Sequence, residues 1–592
     1  MYDLGMDTSY ASKLTALRTN LKKQGLGGFI VPRADRFQGE NPAACDERLE
    51  WLTGFSGSAG TAIILLHKAV VLTDGRYTIQ VKQQVDATLF ETADSTKVKI
   101  GTWLSENIQE DIVIGYDPWL HTPRQISTLQ EGLKNTAIRL KPVSENPVDA
   151  VWQDRPGAPV GRVEIFPQEY AGHSHIEKRE RIAEAVQKAG AQATLIGLPD
   201  SICWLLNVRG SDVNYSPLVL SYALVHATEE RIDWFVDPAK LTPEVQTHLG
   251  NSVQISDFAD LEKTLEKLKL ESVLLDFDRA PVAFKMKLEE NGITVIDGKD
   301  PCVDPKSIKT KAEQDAIASA HKRDALAMVR FLRWLDLDAP GGLDELGVVA
   351  KLEECRAASP LYRGPSFSTI AGFGANGAII HYRASPETNL PLVAPGLLLL
   401  DSGGQYPDGT TDITRTIAIG APSMDMKVNN TLVLKGHIAL ARAHFPGGTT
   451  GAQIDALARQ ALWNAGLDYA HGTGHGVGCF LQVHEEAASI SPRGKDALKA
   501  GMLISNEPGY YAEGEYGIRI ESLVLVEEQG DGMLGFKTVT LVPIDKNLIV
   551  VEMLTDEERG WLNIYHEHVF IILSPHLTGE EAAWLRDKTS AI

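Results

Sequence analysis

Between Leu397 and Thr416 the chain runs Leu-Leu-Leu-Leu-Asp401-Ser-Gly-Gly-Gln-Tyr406-Pro-Asp-Gly-Thr-Thr-Asp412-Ile-Thr-Arg-Thr, and few folds can take such a stretch. An apolar strand enters a carboxylate, turns at Pro-Asp-Gly and returns as a Thr/Ile-rich strand with a second carboxylate, which is a hairpin pattern. Asp401 and Asp412 stand 11 positions apart, and across a two-residue turn an odd separation puts both side chains on one face. A bulge at Gly409 would break that parity. An aspartate straight after four leucines, facing another, is costly to bury without a cation, because the two carboxylates repel and neither is solvated.

Alone, such a pair is ordinary for turn and strand-end residues. Its weight comes from a second acidic ribbon, Met502-Leu-Ile-Ser-Asn-Glu507-Pro-Gly-Tyr-Tyr511 followed by Gly517-Ile-Arg519-Ile-Glu521-Ser-Leu-Val-Leu-Val526. Glu507 and Glu521 are symmetric about Gly514, so an odd-length loop there sets them opposite each other. Between the ribbons lies His471-Gly-Thr-Gly-His475-Gly-Val-Gly478, whose alternating glycines let backbone approach a site and leave the imidazoles as its large groups. Four carboxylates and one histidine would hold two divalent ions, and so oxygen-rich a set suits Mn²⁺ or another octahedral ion better than a soft-ligand zinc site.

In this order and inside these phrases, Asp401, Asp412, His475, Glu507 and Glu521 resemble the dinuclear site of the pita-bread metallopeptidases, which include methionyl aminopeptidase, prolidase and aminopeptidase P. The wording is most similar to aminopeptidase P of the long, three-domain, cytosolic type. The resemblance implies an Xaa-Pro aminopeptidase in which two divalent metals, Mn²⁺ first with Zn²⁺ or Co²⁺ as alternatives, hold a bridging hydroxide that cleaves the N-terminal Xaa-Pro bond. It implies that Asp401 and Glu521 bind or bridge both ions, that Asp412 holds one, and that His475 and Glu507 hold the other. Glu507 would also accept the water's proton and pass it to the leaving nitrogen.

By the same resemblance His381 and His484 contact the peptide and supply an oxyanion donor or a proton relay. Without it each is one of 16 histidines. His471 would steady its loop or touch substrate, Arg519 would share the face of Glu521 and orient carboxylates near the substrate, and Arg76 would reach the substrate, even from a partner subunit of a homodimer. A departure from the relatives is Glu485-Glu-Ala-Ala after His484, where Glu-Gly-Pro is commoner; it bears on the pocket wall and not on the metals.

At 592 residues the chain exceeds one core and implies three or four units. A net charge of -21 disfavours nucleic acid and anionic membrane as partners. Five cysteines without close pairs or zinc spacing point to a reducing cytoplasm. The opening Met1-Tyr-Asp-Leu-Gly-Met-Asp lacks a basic run followed by an apolar one, and no stretch approaches the ~20 apolar residues that span a bilayer.

The expected fold class is α/β, with two similar creatinase-type N-terminal α/β domains at 1–160 and 161–304, then a pita-bread catalytic domain of pseudo-two-fold α+β form at 305–592 with a helical tail. The first domain alternates a helix from Ser9, a strand at Phe29–Pro32, strands at Thr61–Leu66, Ala69–Thr73 and Asp111–Tyr116, a helix that Thr73-Asp-Gly-Arg-Tyr77 opens, and a helix near Arg124–Leu133. The second repeats it: Trp51-Leu-x-x-Phe55-x-Gly-Ser58 recurs as Trp204-Leu-x-x-Val208-x-Gly-Ser211, offset by 153, before strands at Ser216–His226 and Ile232–Val236. In the third, Thr310-Lys-Ala-Glu313 caps a long helix, a strand is expected at Val539–Pro543, and Thr555 and Thr578 open outer helices. The readings weighed against an aminopeptidase are a prolidase restricted to dipeptides and a non-catalytic pita-bread peptide binder or chaperone. Three domains oppose the first and five intact ligands the second.

Overall fold

A computed structural model describes residues 9–339 and 341–592; the opening heptad lies outside them. The chain divides into two compact units, the first comprising the chain through Ile165, His173–Asn214 and Leu218–Cys302, the second Phe166–Gly172, Tyr215–Pro217 and Val303–Ile592.

The first unit contains one supersecondary plan twice. Its first sheet has the order Glu91–Asp94, Ala69–Thr73, Thr61–Leu65, Gly28–Pro32, Ile112–Tyr116, Ile138–Pro142. The second has the order Val253–Ser256, Ile232–Phe235, Tyr222–His226, Ala193–Ile196, Ser272–Leu275, Thr294–Asp297. Counted along the chain, both read fourth, third, second, first, fifth, sixth. In both, the first three strands pair antiparallel and the other three join in parallel. The 153-residue offset also locates matching helix ends. Helix Arg48–Thr53 stops at Gly54 with φ 78°, and Pro199–Leu206 stops at Asn207 with φ 50°, each a left-handed cap of the kind glycine and asparagine tolerate.

Two sequence expectations for the N-terminal half are corrected. Thr73–Tyr77 opens no helix at once; the helix is Gln80–Gln84. The strand expected from Ser216 begins only at Tyr222. Before it, the N–H of Leu220 donates to Asp212 Oδ2 at 2.7 Å and that of Val219 to Cys203 Sγ at 3.3 Å, so these donors are taken by side chains instead of a neighbouring strand.

The long helix of the second unit is Lys311–Leu337, whose capping box of Thr310 and Glu313 is formed in both directions. With helix Glu345–Ala357 it accompanies a sheet in which Gly396–Ser402 runs between Ile370–Phe373 and Ile413–Ile419. Helices Met424–Ala441 and Gly451–Asn464 accompany a six-stranded sheet ordered His444–Pro446, Met533–Thr538, Ser522–Gly530, Leu503–Asn506, Gly474–Gly476, Glu485–Ile490. Two helix pairs with two antiparallel sheets form the pita-bread arrangement that the sequence implies.

Leu397–Leu400 are all buried because their strand is central and covered on both faces. The closing helices Asp556–Leu573 and Gly579–Lys588 do more than lie outside: Leu562, Val569 and Leu585 belong to the same core as Leu398, Leu400 and Val433. The strand expected at Val539–Pro543 is not formed; the strand is Met533–Thr538. Past it, the carbonyls of Val542 and Pro543 accept from Arg415 at 2.7 and 3.1 Å, so an arginine holds this segment where a strand would.

Leu400 is fully buried at the step before Asp401, so Leu400→Ala is expected to cost about 2–5 kcal/mol of unfolding free energy, read by chemical denaturation monitored with circular dichroism.

Candidate metal centre

The first hairpin holds one register from end to end. Asp401 pairs with Thr414, Ser402 with Ile413, Gln405 with Thr410 and Tyr406 with Gly409, so the turn is Pro407-Asp408 and no bulge intervenes at Gly409. Asp401 and Asp412 therefore share a face, staggered by one diagonal position. Arg323 holds the turn through two bonds to Asp408, both 2.9 Å.

The second ribbon also runs in a single register, from Asn506 opposite Ser522 to Gly509 opposite Arg519. One step inward from Asn506 and Ser522, Glu507 faces Glu521. The tip turns through Gly514 at φ 79°. His475 is brought in by the strand Gly474–Gly476, which passes so close to its neighbour that a Cβ on Gly474 would lie 2.0 Å from the Ser505 carbonyl oxygen.

These elements converge on one buried volume. One ligand atom from each of Asp412, His475 and Glu521 lies within 4.8 Å of the others. His475 donates from Nδ1 to the Gly476 carbonyl at 2.9 Å. Its Nε2 is thereby left facing Asp412 Oδ2 and Glu507 Oε1, each at 3.5 Å. Asp401 accepts from Arg519 Nη2 at 2.6 Å through Oδ2, and Thr414 Oγ1 donates to Glu521 at 2.8 Å.

The electrostatics of this cluster favour cations. Burial, then Asp412, Glu507 and Asp401, hold the Glu521 carboxyl well above the ordinary carboxylate range. Burial likewise raises Asp401, against the pull of Arg519, and Glu507, against that of His475 and Arg519. Burial lowers His475, but Asp412 and Glu507 outweigh it and bring the imidazole up to about 9. Asp401 Oδ1 is buried with no hydrogen-bond partner among the described residues. An unpaired carboxylate oxygen beside three more carboxylates and an imidazole whose Nε2 offers a lone pair once its proton is displaced is a donor set that hard divalent cations fit.

Behind it runs a buried chain of hydrogen bonds. Arg519 is 1% exposed; besides Asp401 it donates to Tyr511 Oη at 2.6 Å and Thr414 Oγ1 at 3.2 Å. It therefore meets the cluster from behind, as a positioning group. Tyr511 in turn donates to His471 Nε2 at 2.8 Å, while His471 Nδ1 donates to the Gly472 carbonyl at 2.7 Å and lies 3.9 Å from Glu507. Sequence reasoning did not single out Tyr511. The period-two alternation that joins Glu507, Gly509 and Tyr511 on one face could have found it.

His484 meets His475 edge to face at a 4.2 Å ring separation. His381 follows Ile380, whose carbonyl accepts from Arg519 at 3.4 Å, so its backbone adjoins the cluster. Arg76 belongs to the first unit, where Asp74 takes its guanidinium through two bonds of 2.9 and 2.7 Å.

This fold and this donor set define a metallopeptidase of the pita-bread class. Accordingly the metallopeptidase family M24 model matches residues 315–528 and its C-terminal region model 532–592, while creatinase/prolidase N-terminal domain models match 13–151 and 154–313. A probable Xaa-Pro aminopeptidase P of Laccaria bicolor is 41% identical over 98% of this chain and 93% of its own length. That of Aspergillus niger is 39% identical over 99% of both chains. The crystal structure of an X-prolyl aminopeptidase from Caenorhabditis elegans, described as a cytosolic enzyme with a di-nuclear active site, superposes with a TM-score of 0.93 at 33% identity, covering 99% of this chain and 100% of that one. The prolidase of Pyrococcus horikoshii covers 62% of this chain and 99% of its own, with a TM-score of 0.50 at 25% identity. The chain belongs to the Xaa-Pro aminopeptidase P family.

Without cations, the folded protein binds protons at His475 and at the raised carboxylates more tightly than the unfolded chain does. Its stability is therefore expected to be greatest in mild acid, to fall as the carboxylates ionise and to fall further as pH rises through about 9. Thermal denaturation of chelated protein across this range checks the trend, and added Mn²⁺ should flatten it. Arg519→Met should weaken Mn²⁺ binding about 10–100-fold, read by titration calorimetry.

Proposed function

We propose that this chain is an aminopeptidase that hydrolyses the first peptide bond of peptides with proline second, using two divalent cations, preferably Mn²⁺, held by Asp401, Asp412, His475, Glu507 and Glu521. The observation that carries the reading is the convergence of this complete donor set on one buried volume, with an orphaned oxygen on Asp401. Cations bound there supply Lewis acidity and a water of lowered pKa.

The protein's own residues do the rest. Glu507, beside His475 and His471, takes the proton from the attacking water and delivers it to the departing proline nitrogen, which leaves as a secondary amine. His484, packed on His475, and His381 donate hydrogen bonds to the carbonyl oxygen as it gains charge. A tertiary Xaa-Pro amide has no N–H, so recognition rests on the free amine and the carbonyl.

Whole-chain likeness to Xaa-Pro aminopeptidases favours this over a dipeptide-restricted prolidase, and the full donor set favours it over a non-catalytic peptide binder. We further propose domains at 1–160, 161–304 and 305–592 and a homodimer in which Arg76 approaches the substrate. Five free cysteines, together with the cytosolic description of the nematode enzyme, favour a cytoplasmic location.

Hydrolysis of Arg-Pro-Pro after chelation and readdition of single metals tests the assignment. Release of arginine is expected, with Mn²⁺ restoring it best; no cleavage with any metal would overturn the enzyme reading, and cleavage of Arg-Pro alone would turn it into a prolidase. Glu507→Gln is expected to lower kcat about 10²–10⁴-fold.

A further inference from the structure

Within the second unit, helix Lys311–Leu337 carries a histidine that the proposed chemistry does not use. His321 is 3% exposed. Its Nδ1 lies 2.9 Å from the carbonyl of Ile317, one turn earlier, and a carbonyl can only accept, so the proton is on Nδ1 and Nε2 presents a lone pair. That lone pair has no partner among the described residues. Burial lowers the basicity of the ring, against the pull of Asp324, Asp412 and Asp408.

A small cavity opens beside the ring. It is lined by His321 and Asp324 from the helix, Thr411, Asp412 and Ile413 from the first acidic hairpin, and Thr540 from the segment that Arg415 holds. Its space suits a single water, and its walls are polar enough to keep one. Apart from the Asp412 carboxylate, the other polar side chains there are already engaged: Thr411 Oγ1 accepts from the Gly404 N–H at 2.9 Å. Asp324 receives Arg356 at 2.8 and 3.1 Å and Tyr406 at 2.9 Å. Thr540 Oγ1 accepts from the Leu523 N–H at 2.8 Å. Asp412 meets His475 at 3.5 Å on the side of the metal centre.

We propose that His321 is a positioning residue for Asp412, acting through one buried water that donates one proton to His321 Nε2 and the other to the Asp412 carboxylate. The water satisfies the imidazole acceptor and orients the carboxylate from behind. Asp401 has Arg519 for this purpose and Glu521 has Thr414; His321 and its water do the same for Asp412, the other carboxylate of the first hairpin.

The proposal rests on the five-residue cation site, and one experiment separates the two. Mn²⁺ is titrated calorimetrically into chelated wild-type protein, His321→Gln and His321→Leu, and each chelated protein is melted. The glutamine carbonyl can still accept from the water; leucine cannot. His321→Leu should bind Mn²⁺ about 10–100-fold more weakly, with His321→Gln recovering most of the loss and the chelated melting temperatures of the two variants agreeing. Equal Mn²⁺ affinity in wild type and His321→Leu, or a high-resolution crystal structure with a dry cavity, would overturn the role of His321. No Mn²⁺ binding by the wild type would overturn the cation site itself. If His321→Leu does not fold, His321→Gln carries the test: a loss of affinity there as large as for Asp412→Ala would mean that no bridging water is shared.

Discussion

Four carboxylates crowded at one largely buried site dominate the second unit, and much of its architecture serves to make that tolerable. Burial raises Glu521, Asp401 and Glu507 against ionisation, and the neighbouring carboxylates raise them further. The fold answers with Arg519 against Asp401, with Thr414 against Glu521, and with the imidazole of His475 between Asp412 and Glu507. The repulsion that remains is what two cations would relieve. A site of this kind is unfavourable when empty, so binding free energy and fold stability become one quantity.

The supports reach outward in layers of buried arginines. Arg415 lies under Glu521, donating to carbonyls of Thr414 and Val542 and to Tyr565 on the closing helix at 2.9, 2.7 and 3.0 Å. Arg459 braces the histidine loop, bonding Asp455 and the carbonyls of Tyr469 and His471 at 2.7, 2.8 and 2.7 Å. Arg356 ties its helix to Asp324, which also receives Tyr406 from the hairpin. A planar donor that serves several acceptors at once suits each position. The helical tail thereby becomes part of the site's foundation.

The first unit shows the same economy by duplication. One six-stranded plan is laid down twice, with caps at Gly54 and Asn207 at matching positions. Glycine and asparagine are unlike in chemistry but alike in tolerating positive φ, which is why the repeat survives in geometry where its letters have diverged.

What the chain determined by itself is whatever has a short period. Two-residue alternation set Asp401 beside Asp412 and Glu507 across from Glu521, capping boxes marked the helix starts at Thr310, Thr555 and Thr578, and the Trp51 and Trp204 phrases announced the repeat. Tertiary structure alone decided that Arg519 would take Asp401 from 118 positions away, that Tyr511 and His471 would continue that chain, that His321 would stand behind Asp412, and that Arg415 would replace a strand at Val542 and Pro543. The reason is physical: register within a ribbon follows from the pleat, whereas a buried donor takes whichever acceptor the packed chain leaves within 3 Å or so, and that depends on every other element being in place.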